Sequence, residues 1–252
     1  MGDHEATSLA KLSAISPPTS SGPVIAVDLD DVLCQTNQAL SKYYYYWKNP
    51  HWGTPTECFR KVNEFYACDA IFKANPVPGA REGVQALRDL GYRLVIVTAR
   101  MKAIRDSSWD WIQEHFPDLF DSIICTGQFE DSAALKEGHE MITKLTKHDV
   151  CVSLGAKLLI DDSLENTLEC VSQNPPTHTL LFGDYEWNKR QSFSTDNRDD
   201  TAFAYRLEAE GPEFWKADEK LVVFPPGAPL WRVRDWADAI RWIKQAREEG
   251  RL

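Results

Sequence analysis

Five short apolar runs constrain this chain more than any other feature: residues 24–27, 93–97, 122–125, 157–160 and 179–182. Runs this short, rich in Val, Ile and Leu and without polar alternation, suit strands buried on both faces. Helical patterns lie between most of them. Residues 81–90 place Val84, Leu87 and Leu90 on one side, with Gly91 where a C-terminal cap belongs. Residues 104–116 bring Ile104, Trp109, Ile112 and Phe116 near one face. Residues 146–154 open on Thr146 with Asp149 three positions on, a capping-box pattern, and Gly155 follows. Strand–helix alternation of this kind predicts an α/β fold: a Rossmann-like, mostly parallel sheet flanked by helices on both faces. Val233, Trp236, Ile240 and Ile243 recur at helical spacing, so residues 231–249 are expected to close the chain as a helix packed on that sheet.

Two stretches depart from the alternation. Residues 1–22 are rich in Ser, Thr, Pro and Gly, a composition that buries no core and predicts a disordered tail. Between the first strand and Pro76 lie roughly forty residues, too long for a simple crossover. They are rich in aromatics, including Tyr43, Tyr44, Tyr45, Tyr46 and Trp47. The expected organisation is a core of residues 23–33 and 76–252 with a small helical cap, residues 34–75, inserted after the first strand. Consecutive residues on a helix point in different directions, so the aromatic run cannot line one pocket as a whole. Residues 187–230 mix Asn, Asp, Arg, Gly and Pro and are expected to be a surface excursion.

Composition narrows the function classes. The formal net charge of −10 excludes the basic footprint of a protein that grips a nucleic acid polymer. No apolar run approaches the ~20 residues of a membrane span. The six cysteines form no Cys-x-x-Cys pair, which fits reduced thiols, and the N-terminus lacks a signal-peptide pattern. A cytoplasmic protein is the expectation.

Chemistry is expected at the carboxyl ends of the strands, where open parallel sheets bind ligands. The first run is followed by Asp28-Leu29-Asp30-Asp31, the second by Thr98-Ala99-Arg100, the fourth by Asp161-Asp162. In an extended chain Asp28 and Asp30 share a side, about 6–7 Å apart. Converging carboxylates repel unless a cation sits among them. An all-oxygen set favours Mg²⁺, which leaves room for a phosphate. Zinc is disfavoured because the six histidines show no ligand spacing.

The ordered set Asp-x-Asp, Thr, Lys and Asp-Asp resembles the four motifs of the haloacid dehalogenase-like phosphohydrolase superfamily, over residues 23–33 and 76–185. The insertion after the first motif is similar to the small cap of 5′(3′)-deoxyribonucleotidases, although Asp31 stands where those enzymes usually carry Gly. The resemblance implies a covalent mechanism. Asp28 would be the nucleophile and Asp30 the general acid and base. Thr98, with Ala99 beside it, would bind phosphate. Mg²⁺ would be held by Asp28, the backbone carbonyl of Asp30, and one of Asp161 and Asp162, with Asp162 preferred and Asp161 left to hold the lysine. Arg100 would touch substrate or pair with an acidic neighbour on the surface.

Lys136, Lys144, Lys147 and Lys157 are candidates for the phosphate-pairing lysine. Lys157 opens the strand that ends at Asp161, about 13 Å from the catalytic edge. Lys147 opens a helix running back along that strand. About ten helical residues rise ~15 Å, which returns its start to the catalytic edge. Lys147 is therefore the choice and Lys144 the runner-up. The expected activity is Mg²⁺-dependent hydrolysis of a small phosphorylated metabolite, with nucleoside monophosphates among the candidates. A non-catalytic phosphate-binding scaffold and a phosphotransferase are the alternatives.

Overall fold

The computed structural model describes residues 22–41, 67–126, 145–189, 202–214 and 222–252, with isolated positions between them. Residues 1–21, Lys136, Lys144 and the aromatic run at 43–47 lie outside the described residues. Among the described residues six strands form the sheet: β1 (Val24–Val27), β2 (Arg93–Thr98), β3 (Ser122–Cys125), β4 (Ala156–Asp161), β5 (Thr179–Phe182) and β6 (Leu230–Val233). Their order is β3-β2-β1-β4-β5-β6, and every pairing is parallel. All six carboxyl ends therefore share one edge. The chain steps outward in one direction from β1 through β2 to β3, and in the other from β4 through β5 to β6. That reversal between β1 and β4 opens a crevice at the carboxyl edge.

The seven described α-helices are α1 (Thr36–Ser41), α2 (Ala80–Asp89), α3 (Arg105–His115), α4 (Lys147–Leu154), α5 (Leu164–Ser172), α6 (Phe203–Glu210) and α7 (Trp236–Glu248). Strand alternation sorts the apolar side chains into two layers. Ile25, Val27, Ile96 and Ile160 pack with Val84 of α2, Ile112 of α3 and Trp236 of α7 on one face. Val24, Ala26, Val95 and Val97 pack with Val150 of α4 and Cys170 of α5 on the other. At the α2–α7 crossing, Gly83 lies under the indole of Trp236, and a Cβ there would sit 2.4 Å from the ring. The indole N–H of Trp236 donates to the carbonyl of Val32 at 2.8 Å, so its burial leaves no donor unpaired.

Two elements depart from the sequence expectation. Residues 230–233 are an edge strand, and the terminal helix begins only at Trp236, capped by Asp235, whose side chain accepts from the backbone N–H of Asp238. Val233 and Trp236 are three apart, as on a helix, but Val233 belongs to the sheet through pairing with Phe182. The excursion after residue 187 holds α6, none of whose residues is buried.

The insertion after β1 leaves and returns at one place. Cys34 bridges Pro76 in antiparallel fashion, Gln35 N–H donates to Asn75 O at 2.9 Å, and Val77 N–H donates to Leu33 O at 2.8 Å. Phe65 and Ile71 form a small apolar cluster beyond that neck, packed with Ala39, Phe72 and Ile104.

Candidate active site

Three chain segments converge at the crevice between β1 and β4. Asp28 follows β1 directly, and its N–H donates to Ile160 O at 2.9 Å, which continues the β1–β4 ladder by one residue. Asp161 ends β4 and Asp162 follows it. One oxygen from each of Asp28, Asp161 and Asp162 lies within 4.8 Å of the others, and all three residues are buried.

Lys147 is brought to the same point by α4. The helix begins with a complete capping box: Asp149 N–H donates to Thr146 Oγ1, and Thr146 N–H donates to Asp149 Oδ2 at 2.9 Å. Gly155, at φ 60°, takes the left-handed conformation that turns the chain into β4. The start of α4 thus returns to the carboxyl edge. Lys147 is 0% exposed, with Nζ 2.9 Å from Asp28 Oδ2 and 2.6 Å from Asp161 Oδ2. Asp161 is held from its other oxygen by Ser163 N–H at 2.9 Å and by the Asn166 side chain at 3.3 Å.

The electrostatics follow from burial and crowding. Burial pushes Asp28 up to about 7, against the lowering pull of Lys147. Burial, followed by the charges of Asp31, Asp28 and Asp161, holds Asp162 well above the usual carboxylate range. Burial disfavours the Lys147 ammonium, but Asp161 and Asp28 more than reverse that and raise it. Three carboxyl groups crowd one ammonium, and their donors are all oxygen. A hard divalent cation fits such a set.

Asp30 faces a different partner. Burial alone would raise it, yet the Arg100 guanidinium beside it holds it below its ordinary value. Arg100 is almost fully buried; its Nη2 and Nε donate to the Asp30 carboxylate at 2.8 and 3.1 Å. A third donor, Nη1, reaches Ser108 Oγ at 3.0 Å, and the Thr36 hydroxyl also donates to Asp30. Arg100 therefore pairs with an acidic neighbour in the interior, not at the surface. Thr98 is buried at the end of β2, where its hydroxyl accepts the Arg100 N–H at 3.2 Å; Ala99 beside it is half-buried.

Asp31 takes φ 55°, a conformation glycine adopts without strain and other residues rarely do. Its carboxylate accepts from Asn37 N–H at 3.0 Å and Asn37 Nδ2 at 2.7 Å, which ties the turn to α1. Sequence reasoning missed Thr36, Asn37 and Tyr185 as neighbours of the site. Tyr185 donates to Asp31 O at 2.8 Å, and Trp187 Nε1 donates to Asp162 Oδ2 at 2.5 Å. Both follow β5: the sequence offers Trp187, with Asn188 and Lys189, as a neighbour of the pocket or as plain loop, and the same strand-end logic extends to Tyr185.

Parallel strands in this order thus place Asp28 and Asp161–Asp162 at the switch point, with Lys147 between Asp28 and Asp161. Residues 22–131 match the family model of the 5′ nucleotidase, deoxy (pyrimidine), cytosolic type C protein. That match spans less than half of the chain and ends before Lys147 and Asp161. No curated protein matches the chain in sequence. A predicted phosphatase from Clostridium acetobutylicum superposes with a TM-score of 0.50 at 15% identity, over 90% of this chain and 100% of that one. The L-2-haloacid dehalogenase of Xanthobacter autotrophicus gives 0.49 at 10% identity, over 89% and 99%. The D,D-heptose 1.7-bisphosphate phosphatase of B. bronchiseptica, complexed with magnesium and phosphate, gives 0.45 at 14%, over 88% and 98%. Among the described residues, no helix is long and apolar enough to cross a membrane.

Proposed function

We propose that this protein is a Mg²⁺-dependent phosphomonoesterase that works through an aspartyl-phosphate on Asp28, with a nucleoside monophosphate as substrate. The observation that carries the reading is Lys147 buried between Asp28 and Asp161, with Asp162 beside them. The description of the family matched by residues 22–131 supports the substrate class.

Asp28 attacks phosphorus through a carboxylate oxygen as the bond to the leaving oxygen breaks. Asp30 must enter the first step protonated, with a proton taken from solvent against the pull of Arg100; it gives that proton to the leaving oxygen, then takes one from the water that attacks phosphorus and frees Asp28. The pairing with Arg100 corresponds to the base form of Asp30, the form required for the second step. Thr98 offers its O–H to a phosphate oxygen, with Ala99 at the same strand end, and Lys147 offsets phosphate charge. Asp28, the Asp30 carbonyl and Asp162 would hold Mg²⁺, which supplies positive charge against the phosphoryl oxygens. Residues 34–75 act as the cap; the neck at Cys34 and Pro76 supports this by joining the insertion to the core beside Asp30 and Asp31.

The test is phosphate release from a panel of nucleoside monophosphates and sugar phosphates, with and without Mg²⁺. The expected result is Mg²⁺-dependent turnover that falls at least a thousandfold in Asp28→Asn. Equal turnover by wild type and Asp28→Asn would sink the covalent mechanism. Binding of Mg²⁺ and phosphate with no turnover of any ester would favour the scaffold alternative, and product that depends on an acceptor alcohol would favour a phosphotransferase.

A further inference from the structure

The loop after β5 does more than leave the sheet. Gly183, at φ +86°, turns the chain so sharply that a Cβ there would sit 2.2 Å from the Tyr185 ring. The short 3-10 helix Glu186–Lys189 then crosses the carboxyl edge. Its Asn188 is fully buried, donating to Phe182 O at 2.9 Å and accepting from Arg232 Nη1 at 2.6 Å, and Asn188 O accepts from Arg232 Nη2 at 2.8 Å. The loop is thus braced to β5 and β6. On that support Tyr185 and Trp187 stack, with ring centroids 4.3 Å apart and planes 11° from parallel. Tyr185 reaches the turn after Asp28, and Trp187 reaches Asp162. One aromatic pair therefore holds both acidic segments from a third.

We propose that Trp187 is a positioning residue that commits one oxygen of Asp162 to its indole N–H, so that Asp162 meets a cation through the other oxygen and the site favours Mg²⁺ over Ca²⁺. This rests on the reading of Asp162 as a metal ligand. The indole nitrogen is a donor only, and a hydrogen bond to a carboxylate is among the stronger kinds. An oxygen held in this way is a poorer second ligand. Mg²⁺ is small and needs near-octahedral, one-oxygen contacts, whereas Ca²⁺ accepts bidentate carboxylates and higher coordination. Partners that orient metal ligands typically change metal affinity 10- to 100-fold when removed.

The experiment measures Mn²⁺ bound to the full chain by electron paramagnetic resonance, displaced by Mg²⁺ or by Ca²⁺. Wild type, Trp187→Phe and Trp187→Gln are compared. Trp187→Phe is expected to raise the Mg²⁺ dissociation constant about tenfold and to change that of Ca²⁺ less than threefold. Trp187→Gln, which restores an N–H donor, is expected to recover part of the lost preference. A Mg²⁺-to-Ca²⁺ ratio within twofold of wild type in folded Trp187→Phe overturns the proposal and leaves the phosphatase reading standing. Wild type that holds none of the three ions overturns both. A measurement on the wild type alone guards against a variant that does not fold. Among the nine tryptophan indole N–H resonances, Mn²⁺ is expected to broaden one ahead of the rest, and uniform or absent broadening overturns the proposal.

Discussion

Replacing Lys147 with Met tests whether this buried ammonium holds the site together. Lys147 is 0% exposed and pairs with Asp28 at 2.9 Å and Asp161 at 2.6 Å. Met fills most of the same volume, so the packing term is small. The electrostatic term is not. Oxygens of Asp28, Asp161 and Asp162 approach within 4.8 Å of one another. Two ionised carboxylates at that separation would repel by about 3.5 kcal/mol at an effective dielectric constant of ~20, which the raised Asp28 and Asp162 relieve in part by keeping their protons. Breaking a buried ion pair from one side typically costs about 3–5 kcal/mol, and that is the loss expected here in metal-free buffer. For a chain of this size it corresponds to a fall in Tm of about 6–20 °C. The assay is urea unfolding in EDTA, followed by circular dichroism, with exposed Lys157→Met as the control. Surface changes like the control usually stay within about 0.5 kcal/mol. A loss under about 1 kcal/mol in Lys147→Met, or one no larger than the control's, would refute the reasoning.

Three further outcomes are expected. Gly83→Ala should destabilise by about 1–3 kcal/mol in the same unfolding assay, because the new Cβ would lie 2.4 Å from the Trp236 ring; helix propensity alone predicts a gain of about 1 kcal/mol, so the sign decides between them. Arg100→Met should cost about 1–3 kcal/mol by stranding Asp30, and adding Asp30→Asn should recover part of it, as read from a double-mutant cycle. His178 is held below its ordinary value by burial, then by Arg251 and Lys157, so the unfolded chain takes up its proton first as pH falls. Its contribution is complete above about pH 6.5 and is lost on acidification below it; His178→Gln should lose less stability than wild type between pH 7.5 and 5.5, and an equal loss would contradict this.

Much of the fold was legible in the chain because its signals are local. The runs 24–27, 122–125 and 179–182 are strands over those same residues, since apolar β-branched segments between turn residues have few other uses. Thr146 and Asp149 marked the start of α4 because a capping box is a contact between residues three apart. β6 was not legible. Leu230–Val233 is half-exposed at the sheet edge, its pattern merges with the helix after it, and only pairing with β5, some fifty residues earlier, makes it a strand.

The candidate site divides along the same line. That Asp28, Thr98 and Asp161 end strands could be read from the chain, and parallel connectivity placed those ends on one edge. Which charge meets which was legible only in part: Asp161 was expected to hold the lysine, and Lys147 to be that lysine, whereas Arg100 against Asp30 in the interior, Lys147 against Asp28, and Trp187 on Asp162 join residues 70, 119 and 25 positions apart. Local composition and periodicity report what a segment prefers to be. Pairing across such distances depends on how helices and loops settle onto the sheet, and only the folded chain decides that.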